Sequence, residues 1–301
     1  MSEYTDVLAP ELYQRLRRPP CPHSVAGSLP VLFFGDVFTA QIATIGINPS
    51  YQEYLDPNGN ELDGDARRFE TLASLGATSR SSLTDAQCSA ALRRMRSYFV
   101  RRPTVFRWFR PLERVLVGMR HSYTSGYVAH LDLVQEATQP TWSALAREHR
   151  GEAADLLASD APFLRWQLAT FPLQAVICNG MTALRHVCGM LDQPVDVENA
   201  VRGQFARLRL YATHGRIGGG PIGVVGWNIP LTRPTGLRAE DQQALGRALA
   251  PHLASSRRRQ DSQPAMMRLN HRTPSPPTAD SHEYQRPQQR HRRKRDWQRT
   301  N

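Results

Sequence analysis

The residue types that could do chemistry in this chain gather in four polar clusters, each inside or directly after an apolar run. The first is Gly46-Ile47-Asn48-Pro49-Ser50, which follows the apolar residues 42–45. The second is His130, Asp132 and Gln135, set within Ala129-His130-Leu131-Asp132-Leu133-Val134-Gln135. The third is Asn179-Gly180, and the fourth is Gly226-Trp227-Asn228-Ile229-Pro230-Leu231-Thr232-Arg233-Pro234. A side-chain amide both donates and accepts hydrogen bonds, whereas an ionised carboxylate only accepts. Taken singly, each cluster reads as a turn, since Asn-Pro starts turns on its own. Four of them at the ends of apolar runs point to a site.

The elements that must position these clusters follow from hydrophobic periodicity. A short continuous apolar run closed by Asn48-Pro49-Ser50 predicts a strand buried on both faces at 42–47, and further strands are expected at 127–134, 175–178, 207–212 and 222–225. Thr84 and Gln87 form a capping-box pattern, and Cys88, Ala91, Leu92, Met95 and Phe99 then recur at helical spacing. Phe109, Leu112, Val115, Leu116 and Met119 repeat that spacing. Further helices are predicted over 153–170, around Ala183, Leu184, Val187 and Cys188, and after Thr235-Gly236 with Leu245, Leu249 and Leu253 on one face. Strands alternating with helices predict an α/β fold, a three-layer α/β/α sandwich around a central, mostly parallel sheet. In such sheets ligands bind beyond the carboxyl ends of the strands, where the four clusters fall.

Composition narrows the class. The chain has 301 residues, is 40% hydrophobic and carries a net charge of +11. Residues 257–301 hold twelve of the Lys and Arg residues and four of the Asp and Glu residues, so most of the excess positive charge lies there. This region is rich in Pro, Gln, Arg and His, and too poor in apolar residues to offset its ordering entropy. The expected organisation is an entry segment over 1–30, a catalytic domain over 31–254 and a disordered basic tail over 255–301. Arg290-His291-Arg292-Arg293-Lys294-Arg295 would add salt-sensitive, sequence-independent affinity for nucleic acid, or simply solubilise the chain.

Cys21, Cys88, Cys178 and Cys188 form no Cys-x-x-Cys pair, and their spacing suits neither zinc nor an iron–sulfur cluster. Glu61, Asp63 and Asp65 lack the full calcium-loop pattern, and Gly218-Gly219-Gly220 has no following Lys-Ser/Thr, so it is a turn and not a phosphate cradle. No metal and no cofactor are expected. Neither a secretory apolar core nor a membrane-spanning run is seen, so a cytoplasmic monomer is expected, with no membrane partner.

Gly46-Ile47-Asn48-Pro49-Ser50 resembles the first motif of the uracil-DNA glycosylase superfamily, in particular its mismatch-specific and single-strand-selective branches. The segment Gly226-Trp227-Asn228-Ile229-Pro230-Leu231-Thr232 stands where the second motif belongs, with Ile229 interrupting the Asn-Pro step. The resemblance spans residues 34–249. It implies a uracil-DNA glycosylase-like fold and a monofunctional enzyme that extrudes a nucleotide from DNA and hydrolyses its N-glycosidic bond, as in base-excision repair. Asn48 would hold the attacking water, and Asn228 would face the departing base or support the phosphate-binding loop. Leu231 would wedge into the gap left by the base, while Ser50, Thr232 and Arg233 would contact DNA. Tyr51, Tyr54 and Phe69 are the candidates to stack on the base; His130 and Asn179 are expected to orient it.

Asp132 departs from the pattern, because it falls where many superfamily members place an Asn that reads the uracil edge. A carboxylate would repel O4 of uracil and suit the exocyclic amine of a cytosine-derived or other amino-bearing base. Alternatively Gln135 reads the base, or Asp132 caps a neighbouring backbone. Two other functions stay open at this point: a catalytically weak DNA- or base-binding protein on the same fold, and an unrelated α/β enzyme acting on small nucleotides.

Overall fold

A computed structural model describes residues 3–101, 107–231 and 236–260. The apolar runs become strands β1 (Ile42–Gly46), β2 (Val128–Asp132) and β3 (Ala175–Asn179), and every residue of all three is buried. Three more strands follow: β4 (Val201–Phe205), β5 (Leu208–Ile217) and β6 (Gly220–Trp227). The six form one sheet in the order β2-β1-β3-β6-β5-β4.

The sheet is mixed, not mostly parallel as expected. β2, β1, β3 and β6 pair in parallel, while β5 runs antiparallel to both β6 and β4. The reason is the length of the connections. Gly218 and Gly219, both at positive φ, turn β5 straight back into β6, and Ala206 at φ 51° lies between β4 and β5. A parallel neighbour needs a long crossover, so a turn this tight forces antiparallel pairing. Asp192 fixes the turn by accepting the backbone N–H groups of Gly218 and Gly219 at 3.0 and 2.9 Å.

Among the described residues eight α-helices surround the sheet: α1 (Glu3–Leu16), α2 (Asp85–Arg96), α3 (Tyr98–Arg101), α4 (Arg110–Gly118), α5 (Trp142–Glu148), α6 (Arg150–Thr170), α7 (Met181–Met190) and α8 (Ala239–Gln260). The Thr84–Gln87 capping box starts α2 as the sequence indicates. α7 packs on β3 and β6, and α8 packs on β5, β6 and α4. The α4–α8 contact is close because Gly118 and Gly246 face each other: a Cβ on either would run into the backbone of the other helix.

The first thirty residues are more than a polar entry. α1 buries Leu8, Leu12 and Leu16 at four-residue spacing, and the following stretch buries Leu29, Val31, Leu32, Phe33 and Phe34. Arg15 and Arg18 meet Asp160 of α6 at 2.5 and 2.9 Å. At the other end α8 runs on to Gln260, so residues 255–260, expected to open the disordered tail, are helical; the rest of that tail, 261–301, lies outside the described residues.

Candidate active site at the carboxyl ends of the parallel strands

The chain begins the sheet in β1, adds β2 on one side, then crosses to add β3 on the other. The loops leaving β1 and β3 therefore diverge and leave a crevice at their carboxyl ends. A cleft of about 310 Å³ lies there. Gly46 to Tyr51 form one wall, Asn179 and Pro230 stand at the ends of β3 and β6, and the segment after β2 supplies Thr138 and Thr141 to Ser143. Trp108 completes it. None of these lining residues is charged.

Asn48 is held in one orientation. Its Nδ2 donates to the backbone carbonyl of Glu136 at 3.3 Å and to Oγ1 of Thr138 at 2.9 Å. A backbone carbonyl only accepts, so the amide nitrogen must point that way. Oδ1 is left as the acceptor that Asn48 can offer to a ligand or a water in the cleft.

Beneath this wall lies a second cavity of about 10 Å³, bounded by Asn48 to Ser50, Trp108, Phe109, His130 and Asp132. It has room for about one water and none for a nucleobase. Here a buried chain of polar groups ends. Tyr123 Oη is 2.6 Å from Thr44 Oγ1, Thr44 Oγ1 is 2.7 Å from His130 Nδ1, and His130 Nε2 is 3.2 Å from Asp132 Oδ1. One order of protons satisfies every link: Tyr123 donates to Thr44, Thr44 to His130, and His130 Nε2–H to Asp132. Burial pushes the Tyr123 hydroxyl well above its ordinary pKa, and the hydrogen bond to Thr44 opposes that only in part, so the phenol keeps its proton. Asp132 Oδ2 is buried with no hydrogen-bond partner among the described residues. Gly46 makes room for the pair, because a Cβ there would overlap Asp132 Oδ1 and lie 3.0 Å from His130 Nε2.

Asn179 lines the cleft and also has a structural job that its expected role did not include. Its Oδ1 accepts from the Trp227 indole at 3.1 Å and from the Leu231 backbone N–H at 2.9 Å, which pins the loop after β6 against β3. Gly180, at φ 108°, lets Pro230 pack where a Cβ would lie only 2.6 Å from Pro230 Cγ. Asn228 is turned away from the cleft: its Oδ1 accepts from the Arg209 backbone at 3.0 Å and its carbonyl from Met181. Leu231 is 4% exposed and belongs to the core, so it does not project as a wedge. Thr232 and Arg233 lie outside the described residues.

The expected stacking aromatics divide. Tyr51 lines the cleft. Tyr54 is buried and donates its hydroxyl to the Leu29 carbonyl at 2.6 Å; burial drives its pKa far up. Phe69 is buried, stacked on Tyr98 with centroids 5.2 Å apart. Both belong to an aromatic core, which accounts for their conspicuous spacing after the first motif. Trp108 and Trp142 take their place as cleft aromatics; Trp108 also packs edge-on against His130 at 5.2 Å. Nothing in their local pattern separates them from packing residues, because only the fold brings 108 and 142 to the same opening. Ser50 lines both cavities, its hydroxyl capping the following turn by accepting from Gln52 N at 3.2 Å.

Gln135 is unavailable as a reader. It is fully buried, accepting from Arg15 at 2.5 Å and donating to the Asp132 carbonyl at 3.1 Å. Next to it Glu136 forms a buried two-pronged pair with Arg80, at 2.7 and 2.9 Å. The Arg15–Gln135 hydrogen bond and the Arg80–Glu136 ion pair hold the strip from 135 to 138, and that strip holds Asn48. No sequence pattern points to Arg80, which lies far from every motif.

Compared with protein-family models and with curated proteins, the chain matches none.

Proposed function

We propose that this chain is a DNA glycosylase that receives an extruded base in the cleft between the β1 and β3 loops and hydrolyses its N-glycosidic bond. One observation carries the reading. Asn48, whose amide oxygen is left as an acceptor, stands between an aromatic cleft and a buried His130–Asp132 pair whose outer carboxylate oxygen has no partner among the described residues. Cleavage of a glycosidic bond builds positive charge on the sugar and negative charge on the base, so the site must position a water and steer the base. Asn48 Oδ1 accepts a hydrogen bond from that water, and the amide's lack of basicity leaves catalysis resting on positioning. Tyr51, Trp108 and Trp142 supply the faces on which a flipped base stacks.

Asp132 then selects for a base with an exocyclic amine, a cytosine derivative being the simplest, because a carboxylate offers acceptors alone. The cavity over Asp132 is too small for a base, so this contact requires the side chains of Trp108 and Phe109 to give way as the base enters. The experiment is release of free base, detected by mass, from single- and double-stranded oligonucleotides. They carry uracil, hypoxanthine, cytosine, or hydroxymethylated or glycosylated cytosine. Release from any of them supports the reading, and release from none removes it.

A second reading is favoured by the absence of charged side chains among the described residues that line the cleft: a protein that binds a neutral nucleoside or base on this fold without cleaving DNA. Calorimetric binding of a free nucleoside or base, with no base release from any of the oligonucleotides, would select this second reading; salt-sensitive DNA binding would not, because the basic segment over 290–295 would supply it in either case.

A further inference from the structure

Away from the cleft, three side chains of metal-binding type, two histidines and a glutamate, meet near the surface. His23 comes from the segment after α1, while His149 sits at the junction of α5 and α6 with Glu152 one turn on. Their ligand atoms all lie within 4.8 Å of one another. His23 Nε2 is 2.6 Å from Glu152 Oε2, His149 Nδ1 is 3.1 Å from Glu152 Oε1, and the two imidazole centroids are 4.9 Å apart.

We propose that His23, His149 and Glu152 bind a divalent transition-metal ion of the zinc type, tying the N-terminal segment to the α5–α6 junction behind the cleft wall. The donor set decides the class of ion. Two imidazoles and a carboxylate suit zinc and its neighbours, whereas calcium and magnesium prefer oxygen ligands throughout. The fit is also geometric. Donors about 2.0–2.2 Å from a zinc ion stand no more than about 4.4 Å from one another, so the group is already gathered to within a small side-chain rotation. His149 and Glu152 are half exposed and free to rotate, while His23, with 16% of its side chain exposed, stays put and the other two close on it. On binding, the metal replaces the proton that each imidazole nitrogen shares with Glu152. The other ring nitrogen keeps or takes the proton, and any imidazolium releases one to solvent. Three protein ligands leave one position for water.

The location gives the ion a task. The His23 carbonyl accepts from Gln139 N at 2.9 Å, and Ser24 bridges to Thr138 beside it. Thr138 holds Asn48, and α5 carries Trp142 at its first turn and reaches His149 at its end. An ion joining His23 to His149 and Glu152, which is 129 residues away from His23 in sequence, therefore braces both ends of the strip that forms one side of the cleft. The cysteine spacings and loop carboxylates, the usual places to look for a metal, give no hint of a site assembled across that separation.

The test is zinc titration by calorimetry on the full chain freed of any affinity tag, with visible absorption of the cobalt-substituted protein as the second readout. The expected result is a site in the micromolar range or tighter. A cobalt band of four- or five-coordinate intensity should accompany it, along with a rise in Tm on adding zinc. His23→Ala and His149→Ala should each weaken binding roughly tenfold or more, and Glu152→Gln should do the same while keeping the side chain's shape. All three positions are at the surface, and unchanged circular dichroism of each variant confirms folding. Absence of zinc binding by the wild-type chain, or equal binding by the His23→Ala/His149→Ala double variant, overturns the proposal.

Discussion

Nε2 of His130 stands 3.2 Å from Oδ1 of Asp132, with both side chains about 1% exposed. The pair is two residues apart on one parallel strand, so both side chains point to the same face of the sheet. Thr44 and Gly46 occupy the matching positions on β1, paired with His130 and Asp132 respectively. Thr44 supplies a hydroxyl for the imidazole and Gly46 supplies space for the carboxylate. Register therefore assembles this buried site, and each member can be tested through its neighbour.

Thr44→Val removes the hydroxyl that joins Tyr123 to His130 while keeping the shape of the side chain. It leaves a buried phenol and an imidazole nitrogen without their partner, at an expected cost of about 1–3 kcal/mol. Chemical denaturation of the variant measures this. A change within error of zero would show that the polar chain does not contribute to stability.

Gly46→Ala places a methyl group into Asp132 and His130. Overpacking of this kind costs about 1–3 kcal/mol, and the displaced carboxylate should impair base release by more than the stability loss explains. Gly189→Ala, in α7 and outside both cavities, provides the comparison, since a Cβ there meets nothing within 4 Å. Equal behaviour of the two variants would argue against a special role for Gly46.

The Arg80–Glu136 pair supports Asn48 from behind. Arg80→Ala leaves a buried carboxylate without its partner and should destabilise the fold by about 3–5 kcal/mol. Replacing both by methionine should recover much of that loss. The informative measurement is activity in the refolded double variant. Full activity there would mean the ion pair matters for folding alone and not for the placement of the 135–138 strip.

Much of this organisation was legible in the sequence. Mostly apolar runs mark β1 and β3, which are buried on both faces, β2 is marked by apolar residues around His130 and Asp132, and Thr84–Gln87 marks the start of α2. The role of β4 and β5 was not legible. Strand direction depends on how the chain returns, and the Gly218-Gly219 turn signals a reversal only once both flanking strands are recognised. α1 was missed because Pro10 and a polar surface conceal three leucines that matter only when packed. At the site, the motif around Asn48 reads directly. Tyr54 and Phe69 share the residue type of stacking side chains, and burial assigns them to the core. Asn228 and Leu231 were placed by analogy of position, and hydrogen bonds to Arg209 and Asn179 commit that loop to structure.

Asp132→Asn converts an acceptor-only group into one that donates as well. The expected outcome is a shift in preference from an amino-bearing base toward a uracil-like edge. His130 keeps an acceptor in the new amide oxygen, so stability should change little. Competition between the two oligonucleotides in one reaction reads the ratio directly. An unchanged ratio would place Asp132 outside the recognition step.

The central claim is that Asn48 positions the hydrolytic water in the cleft. Single-turnover base release by the wild-type chain and by Asn48→Ala, with DNA binding measured in parallel on the same substrate, tests it most directly. The account predicts that the variant binds DNA as the wild type does and releases base at least a hundredfold more slowly, about the low end of what a positioned catalytic group contributes. Undiminished release with binding intact would contradict it.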